Sequence, residues 1–122
     1  MNSRTIAIGL ILVASAARGD SWLGADKALH FGFSGALAIG GYTAATSFSD
    51  SPGVRVAYGA SVALLAGIGK ELWDASGYGD PSWRDLTWDV IGTAVGVAIC
   101  WAIDRFVVPI FSRPSAAVNA AR

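Results

Sequence analysis

The chain predicts an all-α fold: a small helical membrane bundle of three spans, preceded by an N-terminal signal or a fourth span. Three observations carry this. Long uncharged stretches recur, each bounded by charge, and they are too long and too uniform for alternating strands. The composition is 53% hydrophobic and only 15% charged, against about a quarter charged in a soluble domain, and mean hydropathy is +0.49. Small residues repeat four apart in every stretch, the spacing that lets helix backbones approach where lipid gives no hydrophobic drive to associate. A closed barrel needs more strands than 122 residues hold, so helices are the way to satisfy this backbone in lipid.

The first element is residues 1–17. MNSR gives a basic start, TIAIGLILVASAA a 13-residue apolar run, and Ala14-Ser15-Ala16 a small-residue cleavage site. This fits a secretory signal peptide, since the run is short of the ~20 residues of a full span. A retained, tilted first transmembrane segment is the alternative. No cysteine follows the run, which excludes a lipoprotein signal.

Residues 18–112 form the helical membrane domain. Its first stretch runs from about Ala25 to Phe48 and stops at Ser49-Asp50-Ser51-Pro52-Gly53, where Pro and Gly end a helix. The second runs from about Val54 to Asp74. Its uncharged core is 14 residues, so Arg55 and Lys70 must sit at the two interfaces. Ala75–Pro81 reads as a turn or re-entrant loop. The third stretch runs from about Ser82 to Phe111, with Asp80 or Asp85 as a helix cap and Gly92 as a point of close backbone approach. Residues 113–122 read as a flexible cytoplasmic tail. The small-residue stripes are Gly32-Ala36-Gly40, Gly59-Ala63-Gly67 and Gly92-Gly96-Cys100. Cys100, the sole cysteine, excludes an internal disulfide and a CxxC-type metal site.

Net charge is zero, so there is no basic footprint for nucleic acid. The lipid bilayer is the expected partner, and association into oligomers is compatible with the small-residue faces. The positive-inside rule puts Arg55, Arg105, Arg113 and Arg122 in the cytoplasm. The other side is then periplasmic, which makes this a multi-pass protein of a bacterial inner membrane. Trp22, Trp73, Trp83 and Trp88 fall at that outer level as an interfacial belt.

The same level holds three polar clusters, DKALH (Asp26–His30), KELWD (Lys70–Asp74) and RDLTWD (Arg84–Asp89). Asp26 and His30, Lys70 and Asp74, and Asp85 and Asp89 are each four apart, hence neighbours on a helix. Ionisable groups near a membrane normally face the bundle interior and pair. Three uses stay open. In the first, Lys27, Lys70 and Arg84 neutralise Glu71, Asp85 and Asp89 and lock the helix ends. In the second, His30 works as an acid/base with Glu71 or Asp89, while Lys70 or Arg84 holds a phosphate or carboxylate. In the third, Asp26, Lys27, His30, Lys70, Glu71, Asp74, Arg84, Asp85 and Asp89 form a binding site for a lipid head group, a partner protein or a divalent ion. No established metal-ligand spacing is present, so no cofactor is assigned. The expected role is a non-enzymatic one in the cell envelope, as a structural network or a site for an anionic lipid or peptidoglycan-precursor head group. The alternative is a membrane-embedded hydrolase or transferase acting on an envelope lipid through His30 and the carboxylates.

DKALHF, GIGKELWD and SWRDLTWDVIGTAVG together resemble the YfiM family of small bacterial envelope proteins and, more distantly, the VanZ-like membrane proteins. The resemblance spans Asp26 to about Val97. It implies an envelope location and matching motif positions at Asp26, Lys27, His30, Lys70, Glu71, Asp74, Asp85 and Asp89, and it attaches no role to them. The lipoprotein cysteine of a YfiM-type signal is missing here, so anchoring rests on the helices.

Overall fold

The computed structural model describes residues 20–112. The expected signal segment and cytoplasmic tail lie outside the described residues. Within them the chain is all-helical, with α1 at Ala25–Ala45, α2 at Pro52–Trp73 and α3 at Trp83–Ala102. A short α4, Val108–Phe111, follows after a wide turn.

Local chemistry sets each boundary. α1 ends where the Thr46 and Ser47 hydroxyls turn back onto the Thr43 and Ala44 carbonyls. α2 starts with Ser51, whose side chain accepts the Val54 N–H, followed by Pro52 at its first position, where a missing N–H costs nothing. Ser82 caps α3 by accepting the Asp85 N–H at 3.2 Å. This replaces the expected cap by Asp80 or Asp85: Ser82 is extended (φ −136°, ψ 118°), as a capping residue must be, while Asp85 is already inside the first turn.

The loop expected over Ala75–Pro81 is partly helical. α2 runs on through a π-helical turn, Asp74–Tyr78, and breaks at Gly77, whose φ of 104° suits glycine. A second π-helical turn, Ile103–Val107, follows α3. Each wide turn brings aromatic rings five apart into contact. Trp73 stacks on Tyr78 with centroids 4.4 Å apart, and Trp101 meets Phe106 edge-on at 6.0 Å.

The helices run up, down, up. α1 packs on both others: Phe31 and Gly35 lie against Gly92 and Gly96 of α3, and Ala38 and Tyr42 lie against Gly59 of α2. These approaches are backbone to backbone. A Cβ on Gly59 would sit 2.6 Å from the Ala38 carbonyl oxygen, and one on Gly96 2.5 Å from that of Gly35. Gly92 is closed off in the same way by the Phe31 carbonyl, as its place in WDVIG predicts.

The α2 and α3 stripes are thus in the seam, with Gly59, Ala63, Gly67, Gly92 and Gly96 buried and Cys100 half-buried. The α1 stripe is a correction. Gly32, Ala36 and Gly40 are exposed, with open space beside Gly32 and Gly40. The face that packs carries Lys27, Ser34, Ala38, Gly41, Tyr42 and Ala45. α1 has small residues on every side, so the polar row decided which face turned inward.

The bundle has a small-residue interior and a bulky apolar exterior. Its buried hydrophobic residues are Ala38, Tyr42, Ala45 and Ala63, while Leu29, Phe33, Leu65, Ile68, Val90 and Ile99 are exposed. Two helical segments, Pro52–Tyr78 and Trp83–Phe111, are long and apolar enough to cross a membrane.

Candidate functional site

α1 and α3 start at the end of the bundle where α2 finishes, so the three polar clusters converge there. α3 presents Asp85 and Asp89 inward, one turn apart, both buried. α1 sets Lys27, His30 and Ser34 against them, and α2 brings Lys70, Glu71 and Asp74.

Asp85 is the hub. One of its oxygens bonds Lys27. The other lies 3.4 Å from His30 Nε2 and 3.5 Å from Lys70 Nζ. Lys27 is only 2% exposed and is held further by Asp20 at 2.6 Å and Asp26 at 2.8 Å. Lys70 also reaches Asp74 at 2.8 Å and Glu71 at 3.0 Å, yet its side chain stays 43% exposed. The second Glu71 oxygen accepts the Ser82 backbone N–H at 2.5 Å, tying the end of α2 to the start of α3. Asp89, one turn deeper, meets no lysine. Its Oδ1 takes His30 Nδ1 at 3.1 Å and the Ser34 hydroxyl at 2.5 Å, and its Oδ2 has no hydrogen-bond partner. Gly67 makes room for that carboxylate, since a Cβ there would be 2.6 Å from Asp89 Oδ2.

The expected convergence of Asp26, Lys27, His30, Lys70, Glu71, Asp74, Asp85 and Asp89 holds, with two corrections. Asp26 is not the partner of His30. It points outward, 60% exposed, and bonds Lys27, because the inward face is taken by Lys27 itself. Arg84 does not neutralise Asp89. Its guanidinium lies over the rings of Trp22 and Trp83, 5.3 and 5.6 Å from their centroids. A planar cation at the first turn of a helix stacks readily on such rings.

Three contributors escaped the sequence reading. Ser34 follows His30 by four residues on one face, a legible signal. Ser82 opens S-W-R-D, the S-x-x-D pattern of a capping box. Asp20, bonded to Lys27 and to the Ser82 hydroxyl, lies outside the helices and had no periodicity to reveal it. Partial burial raises the Asp20 pKa, but the hydrogen bonds from Lys27 and Ser82 outweigh that and hold it below the ordinary aspartate value.

The tryptophans gather at the same end. Trp22 meets Trp83 edge-on at 4.6 Å, and Trp88 Nε1 donates to the Trp22 carbonyl at 2.9 Å. An apolar recess of about 250 Å³ between Leu23, Ala28, Phe31 and Trp88 borders the Lys27 stem.

A second, smaller network closes the opposite end. Arg55 Nη1 lies 2.7 Å from Asp104 Oδ2, the Tyr42 hydroxyl donates to the same oxygen at 2.8 Å, and Arg55 Nε bonds the Ser49 carbonyl at 2.7 Å. Arg55, expected at a membrane interface, ties α2 to the turn after α3.

Chemically, the larger cluster can hold three helix ends in register. It also places an imidazole between two carboxylates, His30 between Asp85 and Asp89. One ligand atom from each of His30, Glu71 and Asp85 lies within 4.8 Å of the others, and the same is true of Asp20, Asp26 and Asp85. No family model, curated protein or solved structure matches the chain.

Proposed function

We propose that this chain is a small multi-pass protein of a bacterial inner membrane, related to the YfiM-like and more distantly the VanZ-like proteins. In this reading α1, α2 and α3 all cross the bilayer and the larger polar cluster locks their ends at the periplasmic face. The observation that carries it is the inverted build, with Gly, Ala and ion-paired side chains inside and Leu, Phe, Ile and Val outside. α1, which is not one of the two segments long and apolar enough to cross by themselves, packs against both neighbours. The tryptophans at the cluster level support an interfacial position.

The role we favour is non-enzymatic and belongs to the envelope. The lock keeps the bundle in one register and presents Arg84, between Trp22 and Trp83, to an anionic lipid or peptidoglycan-precursor head group. Lys27 and Lys70 are already engaged with carboxylates, which leaves Arg84 as the cation suited to that contact. The flanking of His30 by Asp85 and Asp89 supports a second reading, a membrane-embedded hydrolase or transferase with His30 as its acid/base. His30→Asn abolishes turnover of an envelope lipid only under that second reading.

The orientation is tested by Ser76→Cys in a Cys100→Ser background. A membrane-impermeant maleimide should label it from outside the cell, and labelling only after the inner face is opened inverts the proposal. The lock is tested by Glu71→Ala and Asp89→Ala, both of which should lower the melting temperature in detergent. Unchanged melting of both overturns it.

A further inference from the structure

We infer that the cluster binds a divalent transition-metal cation of the zinc class through His30, Asp85 and Glu71, with Lys70 as the residue that gives way to it. The inference rests on the proposed lock, because the same three helix ends must be held together for the ligands to meet.

Charge comes first. Asp20, Asp26, Glu71, Asp74, Asp85 and Asp89 surround two lysines, Lys27 and Lys70. Three of these carboxylates, Glu71, Asp85 and Asp89, are buried, and buried carboxylates call for cations beside them. Asp89 sharpens the point: it is 2% exposed and its Oδ2 is unpartnered, turned toward α2 one helical turn beneath Glu71.

His30 is arranged as a ligand. Its Nδ1 lies 3.1 Å from Asp89 Oδ1, a contact that leaves Nε2 as the nitrogen placed to meet an ion. A carboxylate holding the far nitrogen of a metal-binding histidine is a recurrent second-shell device. Nε2 lies 3.4 Å from Asp85 Oδ2. Ligands about 2.1 Å from a tetrahedral ion are about 3.4 Å apart, the separation seen here.

The two carboxylate groups sharing Asp85 differ in one respect. The one with Asp20 and Asp26 is filled by the ammonium of Lys27, which is buried and has nowhere to go. The one with His30 and Glu71 is approached by Lys70 at 3.0 and 3.5 Å. That side chain is almost half exposed and has Asp74 at 2.8 Å to retreat to. One imidazole with carboxylates suits zinc or a neighbouring first-row ion over calcium or magnesium.

The test is calorimetric titration of zinc chloride into full-length, tag-free, EDTA-stripped protein in detergent, paired with thermal melts. His30 is the chain's single histidine, so imidazole ligation is unambiguous. One saturable zinc per chain is expected. His30→Asn, which keeps a donor toward Asp89, should weaken binding at least about tenfold, the scale of losing even an outer-shell partner. Lys70→Met should tighten zinc binding at least threefold, by removing the competing ammonium, while lowering the melting temperature of the metal-free protein. A lock without a metal gives the lower melting temperature and no gain in zinc affinity. Absence of saturable binding to both wild type and Lys70→Met overturns the inference, and so does binding unchanged by His30→Asn.

Discussion

Gly67→Ala tests the deepest part of the cluster with a single methyl group. A Cβ at that position would lie 2.6 Å from Asp89 Oδ2, 3.0 Å from Cγ and 3.2 Å from Cβ, where carbon contacts prefer about 3.5–4.0 Å. The Asp89 carboxylate must therefore retreat by about 1 Å. It cannot do so and keep both the 2.5 Å bond from Ser34 and the 3.1 Å contact to His30. A hydrogen bond to a charged group is worth about 1.5–3 kcal/mol, and overpacking costs about 1–3 kcal/mol. Helix propensity returns about 1 kcal/mol on replacing Gly by Ala. With one bond weakened and part of the clash relaxed, the net loss should be about 2–3 kcal/mol. Gly69→Ala, two residues on in the same helix with open space around it, is the control and should be neutral or stabilise by up to about 1 kcal/mol. Reversible denaturation in mixed micelles measures both. If Gly67→Ala lies within about 0.5 kcal/mol of the control, the Asp89 carboxylate is not fixed by Ser34 and His30.

At the opposite end, Tyr42→Phe removes the 2.8 Å bond to Asp104 and should cost about 1–2 kcal/mol in the same denaturation assay. Combined with Glu71→Gln at the other network, the two losses should add within about 0.5 kcal/mol, since the sites share no partner. A coupling energy above 1 kcal/mol would show one network instead of two. Asp20, depressed in the folded state by Lys27 and Ser82, should contribute stability that is complete above the ordinary aspartate pKa of about 3.9 and is lost as pH falls through its lower folded value. Acid titration of melting temperature should therefore show a drop below about pH 4 that is smaller in Asp20→Asn, and identical profiles contradict it.

The helices were legible because length, apolarity and stop signals agree at each boundary. Pro52, the Ser-rich segment before it, and the Gly77-to-Pro81 stretch all punctuate the chain where the helices end. The π-helical turns were not legible: they bring Trp73 to Tyr78 and Trp101 to Phe106, five-apart contacts that no residue-by-residue propensity encodes. The convergence of the three clusters followed from helix direction alone. Pairing inside the cluster did not, because it depends on rotation about each helix axis. In α1 Gly32, Gly35, Ala36, Gly40 and Gly41 surround the axis, so spacing selected no face. The row Lys27, His30, Ser34 did select it. Weighing that row first would have turned Gly32 outward, and with it Asp26. Arg84 was misread for a related reason: charge balance suggested an acidic partner, while Trp22 and Trp83 offered one closer.

The two networks have a use that the seam between them explains. Large side chains that interlock fix helix register by shape. Here the seam is lined by small residues such as Ala38, Gly41, Gly59, Ala63 and Gly96, and its register is selected where glycines admit a neighbouring backbone, at Gly59, Gly92 and Gly96. Dispersion across such a seam is strong because the backbones are close. Directional groups reinforce that register at the two ends, with Asp85, Asp89 and Glu71 at one and Asp104 with Arg55 and Tyr42 at the other. Two clamps at opposite ends resist both sliding and rotation, which one clamp alone cannot. The charge that is costly at the ends of these apolar helices thus holds in place the register that the small-residue seam selects.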